Sequence, residues 1–209
     1  MNIGISLTGI SHLINSYRPY PRSYKICYEN FFTVIYNPLN INNNVTTYIT
    51  TYNSTELDNI IKIYNPRKHQ TFDFISSHQI ITFIKSLEQL RKESLDIIIC
   101  TRFDISFNSE LFKKSNFDLT KFNFLFREEG YWENNKFVND CFYLFPFYML
   151  ENVINACYNL LNNPPRPGLM DMHGLYSCLE KQITAEKINF VSDEYMLSHE
   201  NKFYTLKRL

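Results

Sequence analysis

The chain has little glycine and no phosphate-binding glycine pattern. Only 5 glycines occur in 209 residues. Neither GxGxxG nor a Walker loop is spelled anywhere, so dinucleotide oxidoreductases and P-loop ATPases have no basis here. A GxSxG elbow is missing as well, which removes the α/β-hydrolase reading. No CxxC pair or Cys/His cluster has zinc spacing. The five cysteines, Cys27, Cys100, Cys141, Cys157 and Cys178, are odd in number and mostly sit in apolar patterns, so reduced core thiols are expected. No segment approaches the roughly 20 apolar residues of a membrane span, and the start Met1–Leu7 lacks the basic region of a signal peptide. A soluble, cytoplasmic protein is the expectation. Neither sign of charge is in excess: Lys plus Arg and Asp plus Glu are both 21. No global field therefore draws the chain to nucleic acid or to an anionic membrane.

What is abundant is aromatic: 15 Tyr and 18 Phe stand against one Trp. Asn is frequent too, as in Asn42-Asn43-Asn44, a drift that an AT-rich genome produces. The length fits one domain with a substantial core.

Apolar periodicity gives an alternating order of elements. Asn2–Leu7 reads as a first strand, with Thr8-Gly9-Ile10-Ser11 as a turn at its carboxyl end. Apolar positions from Ser23 to Leu39 recur at helical spacing, with Pro38 as a terminator. Val45–Thr51 reads as strand two, and Leu57, Ile60, Ile61 and Tyr64 form the stripe of a helix that Pro66 closes. His69–Phe74 is a third strand, and Gln79–Lys92 is an amphipathic helix. Asp96–Cys100 is a strand buried on both faces, of the kind found in parallel sheets. It ends in Thr101-Arg102-Phe103-Asp104. After a helical stretch around Glu110–Lys114, Phe122–Phe126 is a further strand. Such alternation implies an α/β fold, a mainly parallel sheet flanked by helices. Further on come the strand Cys141–Phe145, which begins with an acid, a helix over Phe147–Leu161, a rigid proline loop at Asn162–Gly168, a helix over Met172–Ile183, a strand over Lys187–Val191 and a polar tail.

In open α/β sheets, ligands bind beyond the carboxyl ends of the strands. Three such ends carry polar groups here: Thr8-Gly9, Tyr52-Asn53 and Arg102-Phe103-Asp104. The plainer alternative for the last is a surface ion pair between Arg102 and Asp104 closing a turn. A sugar nucleotide would use the set well, with backbone amides at Thr8 and Gly9, Tyr52 and Asn53 near the base, and Arg102 against a phosphate. Asp104 could anchor Mn2+ or Mg2+, with His173, Asp171, Glu128 or Glu129 as a further ligand. Asp140 is the candidate base for deprotonating an acceptor hydroxyl, unless Asn139-Asp140 makes an Asx turn. Tyr131 and Trp132 could stack on a sugar face or merely pack.

Ile3-Gly4-Ile5-Ser6-Leu7-Thr8-Gly9, Thr50-Thr51-Tyr52-Asn53-Ser54, Asp96–Asp104 and Asn139-Asp140 before an aromatic strand together resemble the small GT-A-like glycosyltransferases of large DNA viruses. The resemblance implies one GT-A-like, Rossmann-like domain over 1–209, with a nucleotide-sugar-binding half (1–126) and an acceptor-side half (127–209). It implies transfer of a sugar from a UDP-, GDP- or dTDP-sugar to a glycan or protein hydroxyl, in viral glycan synthesis, in the host cytoplasm or viral factory. Asp104 then takes the metal and diphosphate role of the family's DXD motif, and Arg102 replaces its first Asp. That departure admits a metal-independent version. A non-catalytic nucleotide-sugar or glycan-binding domain of the same fold is the alternative.

Overall fold

The computed structural model describes residues 1–13, 22–73, 79–164, 172–197 and 199–207. Seven strand-forming runs meet in one sheet: β1 (Asn2–Gly9), β2 (Asn44–Tyr52), β3 (Lys68–Phe72), β4 (Ile97–Arg102), β5 (Phe122–Phe124), β6 (Phe142–Pro146) and β7 (Ile188–Phe190). Their spatial order is β7-β5-β6-β4-β1-β2-β3. β1 pairs in parallel with β2 and β4, β2 with β3, and β7 with β5. β6 runs antiparallel to both β4 and β5. The sheet is thus mixed, with one reversed strand.

Side chains alternate between the two faces of each strand, and both faces are covered. On one face Ile3, Ile5, Leu7, Ile97 and Ile99 pack with Tyr24, Phe31 and Ile35 and with Tyr64 of α1 (Leu57–Tyr64). On the other, Ile98, Cys100, Tyr143 and Phe145 pack against α2 (Gln79–Glu88) and α3 (Leu150–Asn162). The unbroken run Ile97-Ile98-Ile99 is what a strand buried on both sides requires. Each such side chain contributes about 1.5–3 kcal/mol by leaving water.

The helical run after Ser23 is built from short pieces: a 3-10 turn Tyr24–Ile26, an α turn Tyr28–Asn30, a π segment Phe31–Tyr36 and an α turn Asn37–Asn40. Pro38 does not end it. Proline offers no N–H to the preceding turn, and the run widens to π just before it.

Other expectations shift in ways that matter to the site. Phe122–Phe126 does not extend the parallel alternation beside β4, because β6 inserts between them. α2 stops at Glu88 and continues to Glu93 only as turns. The expected helix over Met172–Ile183 is confined to α4 (Leu175–Leu179). The polar tail adds two short ladders: Tyr195–Met196 pairs with Arg127–Glu128, and Tyr204–Leu206 pairs with Ile105–Phe107. Two- and three-residue ladders are too short to show a period of two in the sequence. The proline loop over 165–168, the end of the third strand at Phe74, and Asp171 lie outside the described residues.

Candidate active site

β1 leads to β2 and β3 on one side, and the chain then returns to place β4 on the other side of β1. The strand order reverses between β1 and β4, and the crevice at their carboxyl ends is where such sheets bind ligands. Thr8 and Arg102 are register partners at that point. By alternation both lie on the face covered by α2.

β6 explains why a strand should begin with an acid. Because it runs antiparallel to β4, its start comes to the edge where β4 ends, with Phe142 opposite Thr101. Asp140 is thereby delivered to Arg102. The guanidinium is held as a fork: Nε donates to Asp104 Oδ1 at 2.9 Å, Nη2 to Asp104 Oδ2 at 2.8 Å, and Nη1 to Asp140 Oδ2 at 2.9 Å. The side chains of Arg102, Asp104 and Asp140 are only 13%, 3% and 7% exposed. The expected surface pair of Arg102 and Asp104 is therefore a buried one with a third member. Arg102 has five N–H groups; these bonds use three and leave one each on Nη1 and Nη2.

Gln79, the first residue of α2, also donates to Asp140 Oδ2 at 3.0 Å, and the Cys141 thiol donates to Asp140 Oδ1 at 3.0 Å. Burial alone would raise the Asp140 carboxyl. The Arg102 charge, then His173 and the bonds from Gln79 and Cys141, outweigh it and hold the group well below the usual carboxylate range. Burial alone would lower Arg102, but Asp104 and Asp140 keep it charged well above its ordinary value. A general base needs proton affinity near the working pH. With Arg102, Gln79 and Cys141 all donating to it, Asp140 is held as an anion, which works against the expected base role.

His173 reaches the same carboxylate from the far side. Its Nδ1 lies 2.9 Å from Glu128 Oε2 and 3.0 Å from Val138 O, while Nε2 is 3.8 Å from Asp140 Oδ2. The backbone fixes this placement, since Val138 N donates to His173 O at 3.0 Å. Asn139, fully buried, ties the region together. Its Oδ1 accepts from Leu125 N at 2.9 Å and its Nδ2 donates to Phe142 O at 2.9 Å. It anchors both the entry to the Arg127–Val138 loop and the start of β6, a task larger than an Asx turn.

Other expected residues are placed differently. Thr8 and Gly9 are not a turn: β1 runs through them, paired with Thr50 and Thr51, so their backbone is committed to the sheet. Gly9, at φ 93°, is in the left-handed region that glycine favours and lets the chain leave the strand. Tyr52 is buried, with its hydroxyl 3.1 Å from Thr82 Oγ1 of α2. Asn53 donates to Asp73 Oδ1 at 2.7 Å. Both lie on the β2 end, across β1 from Arg102. Trp132 is spent on packing, with ring centroids 4.8 Å from Tyr176 and 5.3 Å from Phe190 and with Arg127 stacked nearby. Tyr131 stays exposed beside Phe137.

Among the described residues, no group of three His, Cys, Asp or Glu side chains is arranged to hold a metal ion. Both oxygens of Asp104 accept from Arg102, and Asp140 and Arg102 stand between Asp104 and His173. This donor set does not fit a resident Mn2+ or Mg2+ held by Asp104 and His173. Nor is there a thiolate nucleophile near: burial, then the Asp104 charge, pushes the Cys27 thiol up to about 12, and Cys141 is raised further still.

A polar cavity of about 280 Å3 lies at the opposite, amino-terminal edge, lined by Asn2, Asn44, Arg67, Lys92 and Glu93. Its buried carboxylate, Glu93, is already matched by Arg67, Lys68 and the Tyr48 hydroxyl.

No family model matches the chain, and no curated protein does. Solved structures do: among 206 matching chains is a nucleotidyl transferase from Methanothermobacter thermautotroptrophicus, 11% identical, covering 92% of this chain and 87% of its own, with a TM-score of 0.52. The mixed α/β architecture, a seven-stranded sheet flanked by helices, is therefore a fold this chain shares with a solved structure. No helix among the described residues is long and apolar enough to cross a membrane.

Proposed function

We propose that the chain is a glycosyltransferase that moves a sugar from a nucleoside-diphosphate sugar to a glycan or protein hydroxyl. One observation carries the reading: Thr8, Arg102, Asp104 and Asp140 meet at the point where strand order reverses, the nucleotide-binding position of such sheets. The fold shared with a nucleotidyl transferase supports a nucleotide-handling transferase. Two carboxylates hold the Arg102 guanidinium rigid, and its two remaining N–H groups suit a diphosphate oxygen. No step is routed through a metal, because the donor set does not favour one.

A non-catalytic nucleotide-sugar or glycan-binding domain is the second reading. The weak basicity of Asp140 favours it.

A thermal-shift panel of UDP, GDP and dTDP, each with and without Mn2+, tests both. One nucleotide should raise the melting temperature without Mn2+; at about a hundredfold over its dissociation constant it would add about 2.7 kcal/mol. Release of diphosphate from the matching nucleotide sugar separates enzyme from binder. Failure of all three nucleotides to stabilise the chain overturns both readings.

A further inference from the structure

We infer that His173, oriented by Glu128, is the proton acceptor of the site, and that Asp140 stabilises the imidazolium instead of acting as the base. The inference rests on the transferase reading above. Two groups beside Nδ1, the Glu128 carboxylate at 2.9 Å and the Val138 carbonyl at 3.0 Å, can only accept hydrogen bonds from a ring N–H. Nδ1 therefore carries a proton, and in the neutral ring the lone pair is on Nε2. A carboxylate that fixes the tautomer while the distal nitrogen takes a proton is the arrangement that activates hydroxyl nucleophiles elsewhere.

Nε2 is on the side of the ring that faces Asp140. It lies 3.8 Å from Asp140 Oδ2, the same oxygen that accepts from Arg102 Nη1. Charged groups beside the ring include Glu128 and Asp140, with Arg102 bonded to Asp140 in turn. Exposure agrees with the assignment: the His173 side chain is 20% accessible, against 7% for Asp140.

In the step this implies, the acceptor oxygen bonds to the anomeric carbon. The bond from that carbon to the diphosphate oxygen breaks, and its electron pair leaves with the nucleoside diphosphate. The hydroxyl proton passes to His173 Nε2, and the imidazolium that forms is held between Glu128 and Asp140. Glu128 acts through His173 and is a positioning residue.

The test follows release of UDP, GDP or dTDP from UDP-glucose, GDP-mannose and dTDP-glucose across pH, together with calorimetric binding of the free diphosphates. His173→Gln should lower turnover at least 100-fold and erase the acidic limb of the rate profile, with nucleotide affinity within twofold of wild type. Glu128→Gln should lower turnover about tenfold and displace that limb. A His173→Gln protein that turns over within threefold of wild type, with the limb intact, overturns the assignment while leaving the transferase reading standing. Wild-type protein that neither binds nor cleaves any of the three overturns the transferase reading and the assignment with it. Independently of substrate, long-range 1H–15N spectra of the wild-type imidazoles should show His173 as the Nδ1–H tautomer; an Nε2–H tautomer overturns the assignment.

Discussion

Asp140 Oδ2 sits 2.9 Å from Arg102 Nη1, so a carboxylate at the start of one strand neutralises a guanidinium at the end of its antiparallel neighbour. The contact spans 38 residues of sequence. It joins the two halves of the sheet at the edge where β1 and β4 open.

That buried charge group predicts a pH-dependent penalty. Arg102→Met removes the cation that two buried carboxylates share, which should cost about 3–5 kcal/mol at pH 7. In the wild type, the Asp140 carboxyl titrates below its unfolded value of about 3.9. The stability it contributes is present above that value and falls as pH drops through the lower folded one, because the unfolded chain then binds more protons. In the variant Asp140 loses the charge that holds its carboxyl down and can take up a proton while folded, so the gap between the two proteins should narrow as pH falls toward 4. Urea melts of both proteins at pH 7 and pH 4.5 measure this; an equal gap at the two pH values would contradict it.

How much of this was legible in the sequence depends on range. The apolar run Ile97-Ile98-Ile99 and the polar break at Arg102 are adjacent in sequence, so both the strand and its functional end could be read directly. Asp140 was legible as a residue but not in its role. Nothing local says that β6 runs antiparallel to β4, and nothing local says that Gln79, 61 residues away, completes its shell. Tyr52 misled because tyrosine is amphipathic: at a strand end it serves a ligand or a helix equally well, and here α2 claims it. Thr8-Gly9 misled because a lone glycine after a strand marks its end only to within a residue or two, and Gly9 is still paired. His173 and Glu128 were visible as titratable residues, yet their partnership is fixed by a backbone bond between Val138 and His173 that no spacing announces.

Asn139 should prove a structural keystone. Asn139→Ala leaves Leu125 N–H and Phe142 C=O without their partner in a fully buried setting. Leaving such groups unsatisfied costs about 1–3 kcal/mol each, so a loss of about 3 kcal/mol is expected in urea denaturation. A loss under about 1 kcal/mol would mean that the backbone re-pairs or that water enters.

Gly4 marks a tight contact inside the sheet. A Cβ there would stand 2.6 Å from Leu95 Cδ1 and 3.4 Å from Tyr48 Cε2. Because the nearest atom is a terminal methyl that can turn aside, Gly4→Ala should cost only about 1 kcal/mol, at the low end of overpacking effects. Leu95→Ala removes the obstacle. The double variant should then be more stable than the sum of the single losses predicts by at least about 0.5 kcal/mol, a coupling that a thermodynamic cycle measures. Simple additivity would place the strain elsewhere.

Arg102→Lys separates charge from shape. An ammonium keeps the positive charge between Asp104 and Asp140, so it spares the fold most of the penalty that methionine incurs. It lacks the planar fork, however, and cannot reproduce three directed bonds while two more N–H groups are held toward a ligand. If a nucleoside diphosphate is bound through those two N–H groups, the lysine protein should fold cooperatively, yet bind the stabilising nucleotide at least tenfold more weakly, a difference of about 1.4 kcal/mol. Calorimetric titration at fixed ionic strength checks this, because screening would otherwise blur a pure charge effect. Unchanged affinity would show that charge alone suffices and that the fork serves only to join β4 to β6.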